Sequence, residues 1–205
     1  PTSEIGKVTK STPLGSLDNP FNPVSLALGA EATFVARTID SDRKHLTSVL
    51  KAAADHRGTS FVEIYQNCPV FNDDAFAAVK EPETSADAVI PLRHGEPIRF
   101  GVDGHLGVVR DARTGEFRVV EVAEVGEAAL AVHDAHLADP SLAFGLSRLT
   151  DAGVLHRAPI GIFRDVEAPT YDDLAREQVE LARGRGDSED DLQAMINGGD
   201  TWLVR

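Results

Sequence analysis

Residues 33–65 constrain the fold most, because they read as strand, helix and strand at the spacing of a βαβ unit. Thr33 to Thr38 (TFVART) has the apolar and β-branched character of a buried strand, and Thr59 to Tyr65 (TSFVEIY) repeats it. Between them Leu46, Val49, Leu50 and Ala53 recur at i, i+3, i+4 and i+7, while Arg43, Lys44 and Lys51 lie off that stripe. Asp40 or Ser41 is the expected N-cap, and Gly58 supplies the C-terminal stop. Two parallel strands leave faces and edges bare, so the unit predicts an α/β fold whose parallel sheet has further strands, expected upstream.

The flanking segments are weaker in pattern. Residues 1–23 carry Gly6, Pro13, Gly15, Pro20 and Pro23 with little periodicity and read as a loop or extended arm; Val24 to Ala32 suggests a short helix. After Pro69, residues 71–79 suggest another short helix and 81–87 a surface connection, so a boundary is drawn near residue 80. Residues 105–111 and 116–122 flank the Arg113-Thr114-Gly115 turn as hairpin strands. A helical pattern follows over 126–138, broken by Pro140, and 141–149 reads helical again. Ile160 to Phe163 reads as a strand, Tyr171 to Arg183 as a helix stopped by Gly184, and Ser188 to Asp191 as an acidic helix start.

Composition excludes several classes of function. With 42% hydrophobic and 26% charged residues, the chain falls among soluble globular proteins. No run of 18 apolar residues and no basic-then-apolar leader is present, so neither membrane span nor secretion is expected, and a cytoplasmic location follows. The net charge of −13, with Lys and Arg scattered, opposes nucleic acid. One cysteine excludes an internal disulfide, and any metal at Cys68 needs ligands from elsewhere. The chain opens on Pro1 and its one methionine is Met195; either removal of an initiator Met or a missing upstream segment accounts for that, and the bare sheet favours the second.

Cys68, in VEIYQNCPVFND (residues 62–73), is the strongest chemical signal, since it follows a buried strand, where α/β folds place ligands. A thiolate there can bind a soft metal or cluster iron, with Pro69 stiffening the loop; the alternative is a buried, inert cysteine. Asn72, Asp73 and Asp74 lie just beyond and serve as a helix N-cap or as loop and cluster hydrogen-bonders. His133 and His136, with Asp134 and Asp139, offer an i, i+3 pair that can begin a metal site or simply face solvent. His94 in RHGEP is either a general base or a packing residue. The acidic run Asp187–Asp191 complements a helix dipole or meets a basic partner, and Trp202 anchors the tail to its own core or to another subunit.

Five segments resemble, in order, the β subunit of 2-oxoacid:ferredoxin oxidoreductases: PTSEIGKVTKSTPLGS (1–16), NPVSLALGAEATFVAR (22–37), the Cys68 segment, PLRHGEPIRFG (91–101) and PIGIFRDVEAPTYDDL (159–174). The wording of VEIYQNCPVFND and PLRHGEP is most similar to the 2-oxoglutarate branch, with pyruvate and branched-chain 2-oxoacids as the alternatives. The resemblance implies that residues 1–80 are the C-terminal part of a thiamine-diphosphate-binding domain and that 81–205 form a C-terminal α+β extension. It implies oxidative decarboxylation of a 2-oxoacid, coenzyme A accepting the acyl group and electrons passing through [4Fe-4S] to ferredoxin. Cys68 is then a cluster ligand. The implied cofactors are thiamine diphosphate, Mg2+ and the cluster, and the implied partners are the upstream half of the β subunit, an α subunit and ferredoxin. The family's Gly-Asp-Gly-Asp motif and its other cysteines have no match here, so no thiamine or magnesium contact is carried over and the chain alone is expected to be inactive. The rival reading is a noncatalytic assembly or regulatory module without cofactor.

Overall fold

The computed structural model describes residues 4–70, 72–150, 155–184, 189–199, 201, 202 and 204. Asn22 opens the first helix, α1 (Pro23–Gly29), by accepting the Ser25 N–H at 3.0 Å, with Pro23 preset for the first turn. The strand, helix, strand unit forms as read: β1 (Phe34–Ile39), α2 (Arg43–Asp55) and β2 (Ser60–Tyr65), with β1 and β2 parallel from Phe34 opposite Ser60 to Ile39 opposite Tyr65. The cap of α2 is Asp42, one or two residues later than expected, because its carboxylate reaches the His45 N–H at 3.0 Å. Val49 is buried against Phe34 and Ala36, with Ala52 and Ala53 beside it, and this seating leaves Leu50 exposed.

Next come α3 (Ala77–Lys80), α4 (Pro82–Ala88), β3 (Val89–Leu92), β4 (Arg99–Phe100), β5 (Leu106–Arg110), β6 (Phe117–Glu121), α5 (Val122–Val125), α6 (Ser141–Ser147) and β7 (Ala158–Asp165). One sheet has the order β2-β1-β7-β3, and a small antiparallel sheet has the order β4-β5-β6. The expected parallel sheet is thus a mixed one. β7 lies antiparallel against β1, inserted between β1 and β3, and pairs parallel with β3. The β1–β7 pairing joins residues more than a hundred positions apart, which no local pattern specifies. Gly161 makes the junction possible: it sits opposite Arg37 and Leu92 at φ +138, and a Cβ there would lie 2.5 Å from the Leu92 carbonyl oxygen. The sheet therefore takes strands from both sides of residue 80.

Two further expectations are corrected. Residues 81–87, read as a connection, lie largely in α4, which Pro82 starts at its first turn. The helix expected over 126–138 does not form. Gly126 stands at φ +78, only a single 3-10 turn follows over Glu127–Ala129, and the chain then extends. Ala131 N–H bonds the Val108 carbonyl at 2.7 Å and His133 N–H the Glu96 carbonyl at 3.0 Å, so hydrogen bonds to earlier segments of the same chain replace helical ones.

The main core joins the two sheets through Val24, Leu28, Val35, Ile90, Val108, Leu146 and Phe163, all fully buried. The chain divides into two compact units, Pro1–Ala168 and Pro169–Arg205. The second contains α7 (Tyr171–Arg183), capped by Thr170 and stopped at Gly184 as read, and α8 (Glu189–Asn197). Asp187 and Ser188, part of the acidic start read from the sequence, lie outside the described residues. No described helix is long and apolar enough to cross a membrane.

Candidate functional site at the end of the second strand

β2 ends at Tyr65, and the chain turns outward so that Cys68 lies three residues past the strand, half-buried and with a free thiol. The loop is pinned at several points. Cys68 and Asn72 form an isolated antiparallel bridge, with the Asn72 N–H donating to the Cys68 carbonyl at 2.9 Å. The Asn67 amide donates to the Asp73 carboxylate at 2.8 Å, and the Asp74 N–H donates to the Asn67 side-chain oxygen at 3.0 Å. These bonds fold the loop back on itself, and Asp74 takes up the turn at φ +58. The alternative N-cap role for Asn72, Asp73 or Asp74 is not realised: the cap of α3 is Phe76, with no side-chain hydrogen bond.

Sequence reasoning missed the contribution of the opening arm. Lys7 donates from its ammonium to the Asn72 side-chain oxygen and pairs with Glu4 at 3.2 Å, so residues 4–7 are tied to the Cys68 loop across 65 positions. Lys7 thereby brings a positive charge to the residue bridged to Cys68. No local signal in the sequence indicates a contact of that range.

Behind the loop lies a buried polar centre that was also missed. Arg37, 1% exposed, donates from Nε to Glu63 at 2.6 Å and from a terminal nitrogen to Thr150 at 3.0 Å. Its guanidinium sits 5.0 Å from the Tyr65 ring centroid and 5.5 Å from that of Phe163. Burial pushes the Tyr65 phenol up to about 12, opposed by the Arg37 charge. Tyr65 stacks on Phe76 at 4.4 Å, linking this centre to the element that follows the Cys68 loop. A cavity of about 110 Å³ opens there, lined by Arg37, Glu63, Tyr65, Phe76, Arg148 and Glu4.

The histidines read as a metal pair do not converge. His133 is fully buried and donates from Nε2 to the Ile162 carbonyl at 2.7 Å, while its Nδ1 has no hydrogen-bond partner. Burial lowers its pKa, helped by the nearby His94 and His136. His136 donates from Nδ1 to the Asp165 carbonyl at 2.7 Å. The structure instead brings His136 to His94, with ring centroids 4.2 Å apart and His94 Nδ1 3.3 Å from Asp134. Both rings line a cleft of about 390 Å³ together with His45. Among the described residues, no group of three or more histidine, cysteine or carboxylate side chains is arranged to hold a metal ion.

Cys68 is therefore a single soft donor, accessible at the rim of a braced loop. A thiolate of that kind fits one ligand of an iron–sulfur cluster, and as the one cysteine of this sequence it cannot hold a cluster by itself.

No protein-family model matches the chain. Along all 205 residues it is 55% identical to the 2-oxoglutarate oxidoreductase subunit KorB of Mycobacterium tuberculosis, covering 54% of that protein. Over 73 residues it is 40% identical to the 2-oxoacid:ferredoxin oxidoreductase subunit beta of Saccharolobus solfataricus, a match of 36% of this chain and 24% of that one. The solved structure of a 2-oxoglutarate:ferredoxin oxidoreductase from Magnetococcus marinus, with 2-oxoglutarate, coenzyme A and succinyl-CoA bound, is similar at a TM-score of 0.60 and 24% identity. That likeness covers 95% of this chain and 50% of the other, and it shows the shared fold. The chain spans about half the length of the KorB protein that it matches.

Proposed function

From the premise that this chain is a homologue of the 2-oxoglutarate oxidoreductase subunit KorB, matched along its whole length, we propose that it is part of the β subunit of a 2-oxoglutarate:ferredoxin oxidoreductase. In this reading residues 1–80 are the C-terminal part of the thiamine-diphosphate-binding domain, and residues 81–205 are an extension that lends β3 and β7 to its sheet. The complex converts 2-oxoglutarate and coenzyme A to succinyl-CoA in the cytoplasm, passing electrons to ferredoxin. Thiamine diphosphate and Mg2+ are held by the upstream half of the subunit, which also works with an α subunit.

The observation that carries the reading is the position of Cys68 within a whole-chain match: a free, half-buried thiol on a pinned loop just past a parallel strand. When bound there, a [4Fe-4S] cluster supplies one-electron transfer. The chain's own residues hold the ligand in place. The Cys68–Asn72 bridge fixes the loop backbone, Asn67 and Asp73 close the loop, and Lys7 sets a positive charge beside it, which favours the reduced, more negative state of a nearby centre.

The test uses the full-length β polypeptide purified anaerobically with its α subunit. Cys68→Ala is expected to lower iron content and 2-oxoglutarate-dependent dye reduction together. Unchanged iron stoichiometry and unchanged activity would remove Cys68 from the cluster.

A further inference from the structure

We propose that Asn72 hydrogen-bonds the Cys68 sulfur through its side-chain amide nitrogen, and that Lys7 holds the amide in the orientation this requires. The proposal rests on the reading of Cys68 as a cluster ligand, and it names the residues that tune that ligand.

The backbone supplies the first step. Cys68 and Asn72 pair across an isolated antiparallel bridge, with the Asn72 N–H donating to the Cys68 carbonyl at 2.9 Å. Residues directly opposite in an antiparallel pair project their side chains to the same side, with Cβ atoms about 4.5–5.5 Å apart. The Asn72 amide therefore stands alongside the Cys68 sulfur, and both residues are half-buried. Pro69 has no backbone N–H, so the residue after the cysteine brings no donor to it.

Side-chain chemistry supplies the second step. The two ends of an asparagine amide have nearly the same shape, one an acceptor oxygen and the other a donor nitrogen, so their assignment follows from the partners. Lys7 meets one end with its ammonium, which can only donate, so that end is the oxygen. The nitrogen is then turned away from Lys7, and among the described residues it has no hydrogen-bond partner. Asn67 differs, because its amide nitrogen already donates to Asp73 at 2.8 Å.

The arm is closed on itself in a way that presents Lys7. The Gly6 N–H donates to the Ser16 carbonyl at 2.7 Å, and the Lys7 carbonyl accepts from the Ser16 N–H at 3.1 Å and the Thr12 hydroxyl at 3.2 Å. Glu4, 3.2 Å from the ammonium, offsets part of its charge, so the oriented amide is the main local donor. A hydrogen bond to a ligating thiolate stabilises the electron-rich, reduced state of the centre it holds and raises its reduction potential.

The test uses the full-length β polypeptide purified anaerobically with its α subunit, with iron content measured and the potential read by EPR-monitored titration. Asn72→Ala changes no charge and keeps the backbone N–H of the bridge. It is expected to lower the potential, seen as a several-fold smaller reduced fraction at the wild-type midpoint, with iron content unchanged. Lys7→Met is expected to lower the potential as well, and Lys7→Arg to hold it near wild type, since a guanidinium also only donates. A further measurement needs no variant: wild-type protein grown with nitrogen-15 asparagine is expected to show a nitrogen-15 coupling to the reduced centre. An unshifted potential in Asn72→Ala, whether iron is kept or partly lost, makes Asn72 a brace of the loop alone and overturns the proposal. So does a wild-type spectrum without the coupling, and that spectrum decides the matter if Asn72→Ala holds no cluster. Iron content and potential that Cys68→Ala leaves untouched would instead remove the ligand reading on which the proposal stands.

Discussion

β1 and α7 are both built from sequence with a clear apolar pattern, yet every residue of β1 is buried and none of α7 is. β1 lies between β2 and β7, with α2 covering the face that carries Phe34 and Ala36, and the Arg37 charge it carries is paired inside the chain. α7 satisfies its charges along its own surface through Arg176 and Arg183 and leaves its leucines in water. The contrast separates two sources of stability. The first compact unit draws on its own core, whereas α7 of the second holds no buried residue.

The largest effect should come from breaking the polar centre beside β1. Arg37→Ala strands Glu63, whose side chain is only 12% exposed, next to Tyr65. Removing one partner of a buried pair is expected to cost about 3–5 kcal/mol, read as a lower urea midpoint. The double variant Arg37→Met with Glu63→Leu sharpens the point, because replacing both charges with apolar groups should recover most of that loss. If Arg37→Ala leaves the midpoint unchanged, β1 does not depend on its internal partners in the way the contrast requires.

A smaller effect belongs to His133. Burial lowers its pKa below the usual 6.5, so the folded chain binds this proton less readily than the unfolded chain. The stability linked to His133 is therefore fully present above the unfolded value and is lost as pH falls from there through the lowered folded value. The steepest slope one proton gives is about 1.4 kcal/mol per pH unit. His133→Gln can still donate to the Ile162 carbonyl but does not titrate, and its melting temperature should fall less than wild type over the same pH range. Equal acid sensitivity in both would assign the effect to other groups, with Asp134, His94 and His136 the nearest.

What the sequence disclosed follows the same divide between local and distant contacts. The period of α2, the apolar runs of β1 and β2, the 113–115 turn and the place of Cys68 after β2 are all set within a few residues, and they were legible. Asp111, for example, closes the hairpin by accepting the Arg113 and Thr114 N–H groups, a turn visible in the local chemistry. The antiparallel place of β7 was not legible, since it depends on register with β1 and on the close approach that Gly161 permits. Residues 126–138 carry a helical period that loses to hydrogen bonds with Val108 and Glu96, partners set only by the folded chain. The braces on Cys68 divide likewise. Asn67 and Asp73 are neighbours that sequence can place near the thiol, but Lys7 reaches Asn72 only after the arm folds back.

The smallest expected effect is the most direct test of the contrast. Leu174→Ala with Leu181→Ala should change the unfolding free energy of the isolated chain by no more than about 0.5 kcal/mol, because substitutions at exposed positions away from caps and cores stay in that range. Alanine also removes any penalty in helix propensity, so no loss within α7 offsets the result. A comparable truncation in the sheet, Phe163→Ala, is expected to cost about 3–5 kcal/mol, since that ring is fully buried. The ratio of the two, measured by urea unfolding of the same chain, reports where the burial of each stripe takes place. If the α7 variant costs as much as the core one, its leucines are already covered within this chain, and the second compact unit is as self-sufficient as the first.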